Sequence, residues 1–555
     1  MIHTKLSIVY FAESNVVSLN LLQQLATRMI KNLLSLSFSL YCVSGLSQSF
    51  TSSTLPIVEI NTAQQIPNDG KVKATMQITF NGKGTTTSIT DTPNIWNGEV
   101  EIGFRGASST GYPQKSYSFT TMNAAIDSNI VILDMPREHD WVLINNWNEK
   151  SFARNTLAQK IFSEMGHYGV RLRHCEVVLN GTYNGIYLLG EKIKVDKGRV
   201  AISKLKDVDN DGANVSGGYI IKNDIYDGSN GWQSKYSPVG HSDRPYFIYE
   251  YPSVSKITLQ QNTYIKSFLD SLEKALYSSS FTNTSVGYQK YISETSFIDY
   301  FLLNELFRNV DGFKKSSYWH KDRWDKGGKL RAGPVWDFDW SMKNIYDCNE
   351  FSNTDGSGWS YKIVDCPADV LSFGWYKRLL QSADHANKIH CRWEQLRSSI
   401  LDLPTLFKYI DSVELALQIP QQRHFITFPV LGTNNGAPEV DKIPSTYEGE
   451  ILKLKNWIET RINWLDQNMV GECSTVTAID KPNTENVIEI FPMPSQGHFT
   501  IKSNGRHEQF AIYDQTGRII QAGQLTGERT EFEWKGSKGI YLIRIGTSTY
   551  KIIMY

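Results

Sequence analysis

The hydrophobic period of this chain changes twice, and each change limits what the segment can become. Residues 55 to 131 carry short alternating apolar runs, LPIVEI, KATMQITF, VEIGFRG and KSYSFTT, split by turn residues such as PNDGK and NGKG. A period of two buries one face of a strand, so this stretch is read as antiparallel sheet. EKSFARNTLAQKIFSEMG interrupts it with a helical face of Phe152, Leu157, Ile161 and Met165, closed by Gly166. Strands resume in CEVVLNGTYNGIYLLGEKI, where two Asn-Gly pairs supply turns. From about residue 258 the period is helical, in ITLQQNTYIKSFLDSLEKALYS, SFIDYFLLNELFRNV and YEGEILKLKNWIETRINWLDQNM. The last of these puts Ile451, Leu454, Trp457, Ile458, Ile462 and Leu465 on one side. Sheet before helix in this order predicts an α+β chain of two lobes, with a ligand cleft between them. After Cys473 a polar linker, STVTAIDKPNTEN, leads into about seven short strands with frequent turns, which predicts a small C-terminal β-sandwich.

A chain of 555 residues exceeds one ordinary core. Its 57 acidic and 57 basic residues cancel, so bulk charge points to neither nucleic acid nor membrane. Residues 1–28 show no periodicity and read as an N-terminal extension ahead of the true start at Met29. MIKNLLSLSFSLYCVSGLSQ then has the charged, apolar and small-residue regions of a signal peptide over 29–48; a short buried helix is the alternative. Its apolar run is too short to span a bilayer. Cys42 would leave with the signal. Cys348 and Cys366 bracket a Ser/Gly/Asp loop and are the best candidate disulfide in an exported chain. DVDNDG at 207–212 starts like a calcium loop, but Gly218 stands where the twelfth-position Glu belongs, so a polar turn is the better reading.

GPVWDFDWSMKN sets Asp337 and Asp339 among Trp336, Phe338 and Trp340. Asp is rarely buried unless paired or bound to a cation. Two apart on an extended segment, both would project from one face and could hold a hard, oxygen-seeking ion such as Mg2+. An ion pair with Lys329 or Arg331 is the competing explanation. Asp311 follows the helix FLLNELFRN in a turn, NVDG, and Lys115 lies in the strand QKSYSF, where a solvent-facing lysine is the ordinary case. Arg105 opens a small-residue loop, RGASSTG, whose N–H groups could close over phosphates.

In order along the chain, VEIGFRGASSTGYPQKSYSF, KSFARNTLAQKIFSEMG, GTYNGIYLLGEKI, NVDGFKKSSYWHKD and GPVWDFDWSMKN resemble the motifs of the spore coat protein H (CotH) kinase family. The resemblance implies an atypical protein-kinase-like fold over 49–472. It implies transfer of the ATP γ-phosphate, with Mg2+ or Mn2+, to Ser or Thr of secreted or surface proteins. By the same resemblance Asp311 is the catalytic residue and Asp337 the metal-binding aspartate, with Asp339 beside it. Lys115 and Arg105 meet the nucleotide, and Glu191 sits at the lobe hinge or pairs with Lys115. Asn344 reaches phosphate or metal, and Arg154 matches a family position without a stated role. Ser316 stands where protein kinases carry an Asn for a second metal, which weakens that ligand. FPMPSQGHFTI and GIYLIRI resemble the type A sorting domain of the type IX (Por) secretion system of Bacteroidetes, with Phe491 and Met493 in place of the usual Tyr and Asn. This implies a linker at 473–486 and a removable export address over 487–555. The expected partners are a secreted protein substrate and the type IX machinery, with no nucleic acid and no transmembrane segment in the mature chain. An inactive surface-binding relative and an AMP-adding enzyme on the same scaffold remain the alternatives.

Overall fold

The computed structural model describes residues 50–473 except 124–125, and 489–554 except 492, 494, 496, 504–508, 515–516 and 546–547. The signal segment, the N-terminal extension and most of the linker lie outside the described residues. The chain divides into two compact units, Met1–Cys473 and Ser474–Tyr555.

In the first unit, β1 (Ile57–Asn61), β2 (Val72–Thr79), β3 (Trp96–Arg105) and β4 (Ser116–Asn123) form the antiparallel run expected from their alternation. β5 (Asp140–Ile144) follows, then helix α1 (Arg154–Glu164), β6 (Leu172–Leu179) and β7 (Thr182–Glu191). β5 pairs with both β4 and β7, and β6 pairs with β7 and, in parallel, with β1. Seven strands therefore close into a barrel, filled by Val58, Met76, Ile102, Phe119, Trp141, Cys175 and Leu189 among others. The parallel pair and the closure depart from a purely antiparallel sheet. α1 is shorter than the sequence pattern: Phe152 lies before it in a left-handed turn (φ 59°). It ends in a Schellman motif, with the His167 N–H on the Phe162 carbonyl at 3.2 Å and the Gly166 N–H on Ser163 at 3.0 Å.

A second sheet, all antiparallel, runs Gly231–Gln233, β9 (Tyr246–Tyr251), β8 (Tyr219–Asn223), β10 (Ser317–Lys321), β11 (Leu330–Ala332). Helix α2 (Leu259–Tyr277) begins with a capping box, Thr258 with Gln261. Helix α3 (Glu294–Phe307) is buried on every side from Ser296 onward, so it has no solvent face to read from periodicity. Its polar residues are matched inside: Asp299 meets His167 at 2.8 Å and Arg392 at 2.7 Å. Helix α4 (Ala383–Arg397) precedes helix α5 (Tyr447–Asn468), whose six expected apolar positions are all buried. The second unit has a three-stranded and a four-stranded sheet around one core that includes Phe499, Ile512, Phe532 and Ile543.

Cys348 pairs with Cys366, and Cys391 on α4 pairs with Cys473; Cys175 is free inside the barrel. The second bridge closes a span of 82 residues. Cross-linking a loop of that length removes on the order of 4 kcal/mol of unfolded-state entropy in the chain model. Cys391→Ser is expected to lower unfolding free energy by about 2–4 kcal/mol in non-reducing denaturant titration. An unchanged midpoint would show that the bridge does not stabilise the fold.

Candidate functional site

Helix α3 ends in a left-handed cap at Arg308 (φ 42°), and this turn throws the chain toward Asp311. The Arg308 guanidinium is buried and donates to the carbonyls of Ser357 (2.7 Å), Asn353 (2.9 Å), Phe351 (3.0 Å) and Lys343 (3.1 Å), and to Asn344 Oδ1. Asn309 then links the two acidic segments. Its Oδ1 accepts from the Asp311 N–H at 3.3 Å, and its Nδ2 donates to the Asp337 carbonyl at 3.2 Å. Ser316, also left-handed (φ 48°), donates its hydroxyl to Asp337 Oδ2 at 2.8 Å.

The segment carrying Asp337 and Asp339 is not extended, as the alternation suggested. Regular structure stops at Ala332, and Asp337 itself is left-handed (φ 55°). Such backbone in a non-glycine residue costs free energy and persists where surrounding contacts fix it. Here the Phe338 N–H donates to Asn155 Oδ1 at 3.0 Å, and the Phe338 ring packs edge-on against Phe307. Both aspartates still reach one cavity. It measures about 830 Å3 and is lined by Arg105, the loop from Gly106 to Ser109, Asn145, Asn155, Asp311, Lys314, Ser316, Asp337 and Asp339. Gly106 is favoured in that loop by its left-handed backbone (φ 95°), and a Cβ there would also displace the Ser109 hydroxyl. Asn145 presents a buried Nδ2 with no hydrogen-bond partner among the described residues.

Electrostatics mark the same place. Burial pushes the Asp311 carboxyl up to about 7; Lys314 opposes the rise and the Asp337 charge adds to it. Burial also raises Asp337 and Asp339, and the Asp339 charge lifts Asp337 further while Ser316 opposes. Carboxyls crowded this way ionise more readily when a cation is added. The donors, two carboxylates and a hydroxyl, are all oxygen and fit a hard divalent ion. Lys329 is no salt-bridge partner for them, since it donates to the Gln289 carbonyl at 2.7 Å. Among the described residues, the one trio of potential ligand atoms within 4.8 Å lies elsewhere, at Glu138, His139 and Asp140. The Lys194 ammonium already sits in that trio, 3.1 Å from Glu138 and 2.8 Å from Asp140.

Not every expected residue comes here. Arg105 does, its guanidinium 5.0 Å over the Trp336 ring. Lys115 precedes β4 and donates to the Thr110 carbonyl at 2.7 Å, bracing the loop rather than lining the cavity. Glu191 is buried against Tyr168 (3.0 Å) and Arg171 (2.8 Å) and does not meet Lys115. Asn344 accepts from Trp457 at 2.9 Å, donates to Asp441 at 2.6 Å, and borders a separate cavity of about 390 Å3. Arg154 is a buried strut, 2.5 Å from Glu149. The 207–212 segment is a closed turn, with Asp209 accepting from the Lys206 N–H at 2.8 Å. Sequence reasoning passed over Lys314, Asn145 and Asn155; the adjacent lysines of GFKKSS beside Asp311 were the available signal for the first.

A raised carboxyl makes the folded state hold a proton that the unfolded chain has lost. Between about pH 4 and pH 7 stability therefore falls as pH rises, by the Asp311 contribution. Without divalent ions, Asp311→Asn is expected to melt higher than the parent at about pH 8 and to converge with it near pH 4. Parallel melting curves across that range would remove burial as the cause.

The CotH kinase protein family matches residues 102–465, a span that contains the whole of this cavity lining. The secretion system C-terminal sorting domain matches residues 489–554. That tail implies handling by type IX secretion and a secreted or cell-surface location. No helix among the described residues is long and apolar enough to cross a membrane. Among curated proteins none matches the chain. With well over half its length covered and its acidic cavity inside the matched span, the chain belongs to the CotH kinase protein family.

Proposed function

We propose that this chain is an exported atypical protein kinase that transfers the ATP γ-phosphate to Ser or Thr of secreted or surface proteins. One observation carries the reading: Asp311, Asp337 and Asp339, from two separate segments, face one cavity with burial raising all three. In this reading the barrel and the part after it act as two lobes, since Arg105 and Asn145 reach the cavity from one and Asp311 and Asp337 from the other. Asp337, Asp339 and Ser316 hold Mg2+ or Mn2+, which screens the charge of the phosphates when bound. Arg105 and the loop after it contact the nucleotide. Asp311, with a carboxyl near neutrality, orients the acceptor hydroxyl and receives its proton. The 29–48 segment is the signal peptide, and the 487–555 segment is removed after it has directed export.

Incubation of the protein with γ-labelled and, separately, α-labelled ATP tests this directly. Label from the γ position on Ser or Thr is expected. Label from the α position would mean AMP addition, and neither would mean a binding protein. Asp337→Asn is expected to lose metal-dependent ATP binding, read by calorimetry. Asp311→Asn is expected to keep that binding and lose about 100- to 10,000-fold in transfer rate. Wild-type turnover in Asp311→Asn would exclude it from the mechanism.

Deleting the last 70 or so residues in the native host is expected to leave the protein in the periplasm. Fractionation that finds the shortened chain at the cell surface would make the tail an accessory domain and not an address.

A further inference from the structure

Lys314 is the one buried cation among the residues lining the acidic cavity, at 6 % exposure. Its ammonium has no hydrogen-bond partner among the described residues. The nearest carboxylates, Asp347 and Asp369, each stand 3.9 Å away, and Asp369 is engaged by Lys315 at 3.0 Å. Of the other lysines of the cavity, Lys222 sits 3.1 Å from Asp224 and 3.2 Å from Glu250 and Lys315 is held by Asp369, while Arg105 stacks on the Trp336 ring with its N–H groups left for the nucleotide. An ammonium carries three donors and no acceptor, and this one opens into the cavity, where a ligand oxygen can take the donors that its two distant carboxylates leave free.

The loop fixes where that oxygen would be. The Lys314 N–H donates to the Asp311 carbonyl at 3.0 Å, so the side chain starts from the turn that carries Asp311. Lys314 is also the leading charge that opposes the rise of the Asp311 carboxyl. A group held by this ammonium is held at the reacting end of the cavity, beside the residue that receives the acceptor proton.

We propose that Lys314 binds the terminal phosphoryl group of the nucleoside triphosphate and takes the phosphate-binding role that the family resemblance implies for Lys115. The proposal rests on the nucleotide reading of this cavity. In the transfer, the acceptor O–H bond breaks and its proton goes to Asp311. The acceptor oxygen forms a bond to the γ-phosphorus, and the bond from that phosphorus to the bridging oxygen breaks, its electron pair leaving with ADP. Lys314 stays protonated throughout and donates to the non-bridging oxygens, the point-charge contact that lysine makes with phosphate.

Calorimetry of the full-length protein with Mg·ATP and Mg·ADP separates this from a merely structural lysine. The parent is expected to prefer ATP. Lys314→Met is expected to lose roughly tenfold to hundredfold in ATP affinity with ADP affinity unchanged, and Lys314→Arg to recover most of the loss. An unchanged ATP-to-ADP ratio in Lys314→Met overturns the proposal. A parent that binds neither nucleotide overturns the reading of the cavity, and the proposal with it. Should Lys314→Met fail to fold, amine acylation of the parent followed by peptide mass mapping decides. Lys314 is expected to be protected by Mg·ATP more than by Mg·ADP, and equal protection overturns the assignment.

Discussion

A buried guanidinium holds the acidic site together. Arg308 sits at the left-handed end of α3 and spends its donors on four carbonyls and one amide oxygen between residues 343 and 357. Next to it, Arg461 of α5 donates to the Glu305 carboxylate (3.1 Å) and to the carbonyls of Glu305, Gly356 and Gly358. Two arginines thus replace water for a stretch of chain whose only regular piece is the one-turn helix Asn349–Ser352. Removing either would strand buried carbonyls and, at Arg461, a buried carboxylate; losing one partner of such a pair costs on the order of 3–5 kcal/mol. The turn from Arg308 through Asn309 to Asp311 is the part of this framework that reaches the cavity.

The barrel supplies the facing wall through its register. Arg105 pairs with Ser116, and Leu143 with Tyr117, so β3, β4 and β5 share one end. The Asn145 N–H donates to the Ser116 hydroxyl at 3.0 Å. The loop from Gly106 and the turn from Asn145 therefore leave the barrel side by side. Neither loop needs to find the cavity; strand pairing delivers both.

Period and turn chemistry made the local elements legible, because they depend on neighbours in sequence. The α5 face and the β1 to β4 run follow from spacing alone. α3 hides its orientation, being buried all round, and barrel closure depends on pairings that join residue 57 to residue 176 and residue 144 to residue 188. At the site, residue type was more informative than position. Asp311, Asp337 and Asp339 stand together, though the strand that was to align the last two is absent and left-handed backbone does that work. Lys115 and Lys314 show the limit: which of two lysines faces a cavity depends on a turn and a strand start, and neither leaves a signature in composition. The Cys348–Cys366 pair was visible from its short loop, whereas Cys391 and Cys473 are too far apart in sequence to suggest each other.

The two larger sheets of the first unit also limit how another polypeptide could pair with them. Among the described residues the closed ring of seven strands pairs each member with two neighbours and adds only the two-residue strand Ile126–Asp127 at one end. In the other sheet both outer strands are three residues long, and β11 is covered by residues 291–293, whose backbone bonds Leu330 from both sides at 2.8 Å. Short or covered rims of this kind block edge-to-edge association between copies. A polypeptide that met these two sheets would find little free backbone to pair with, so contact there would rest on side chains.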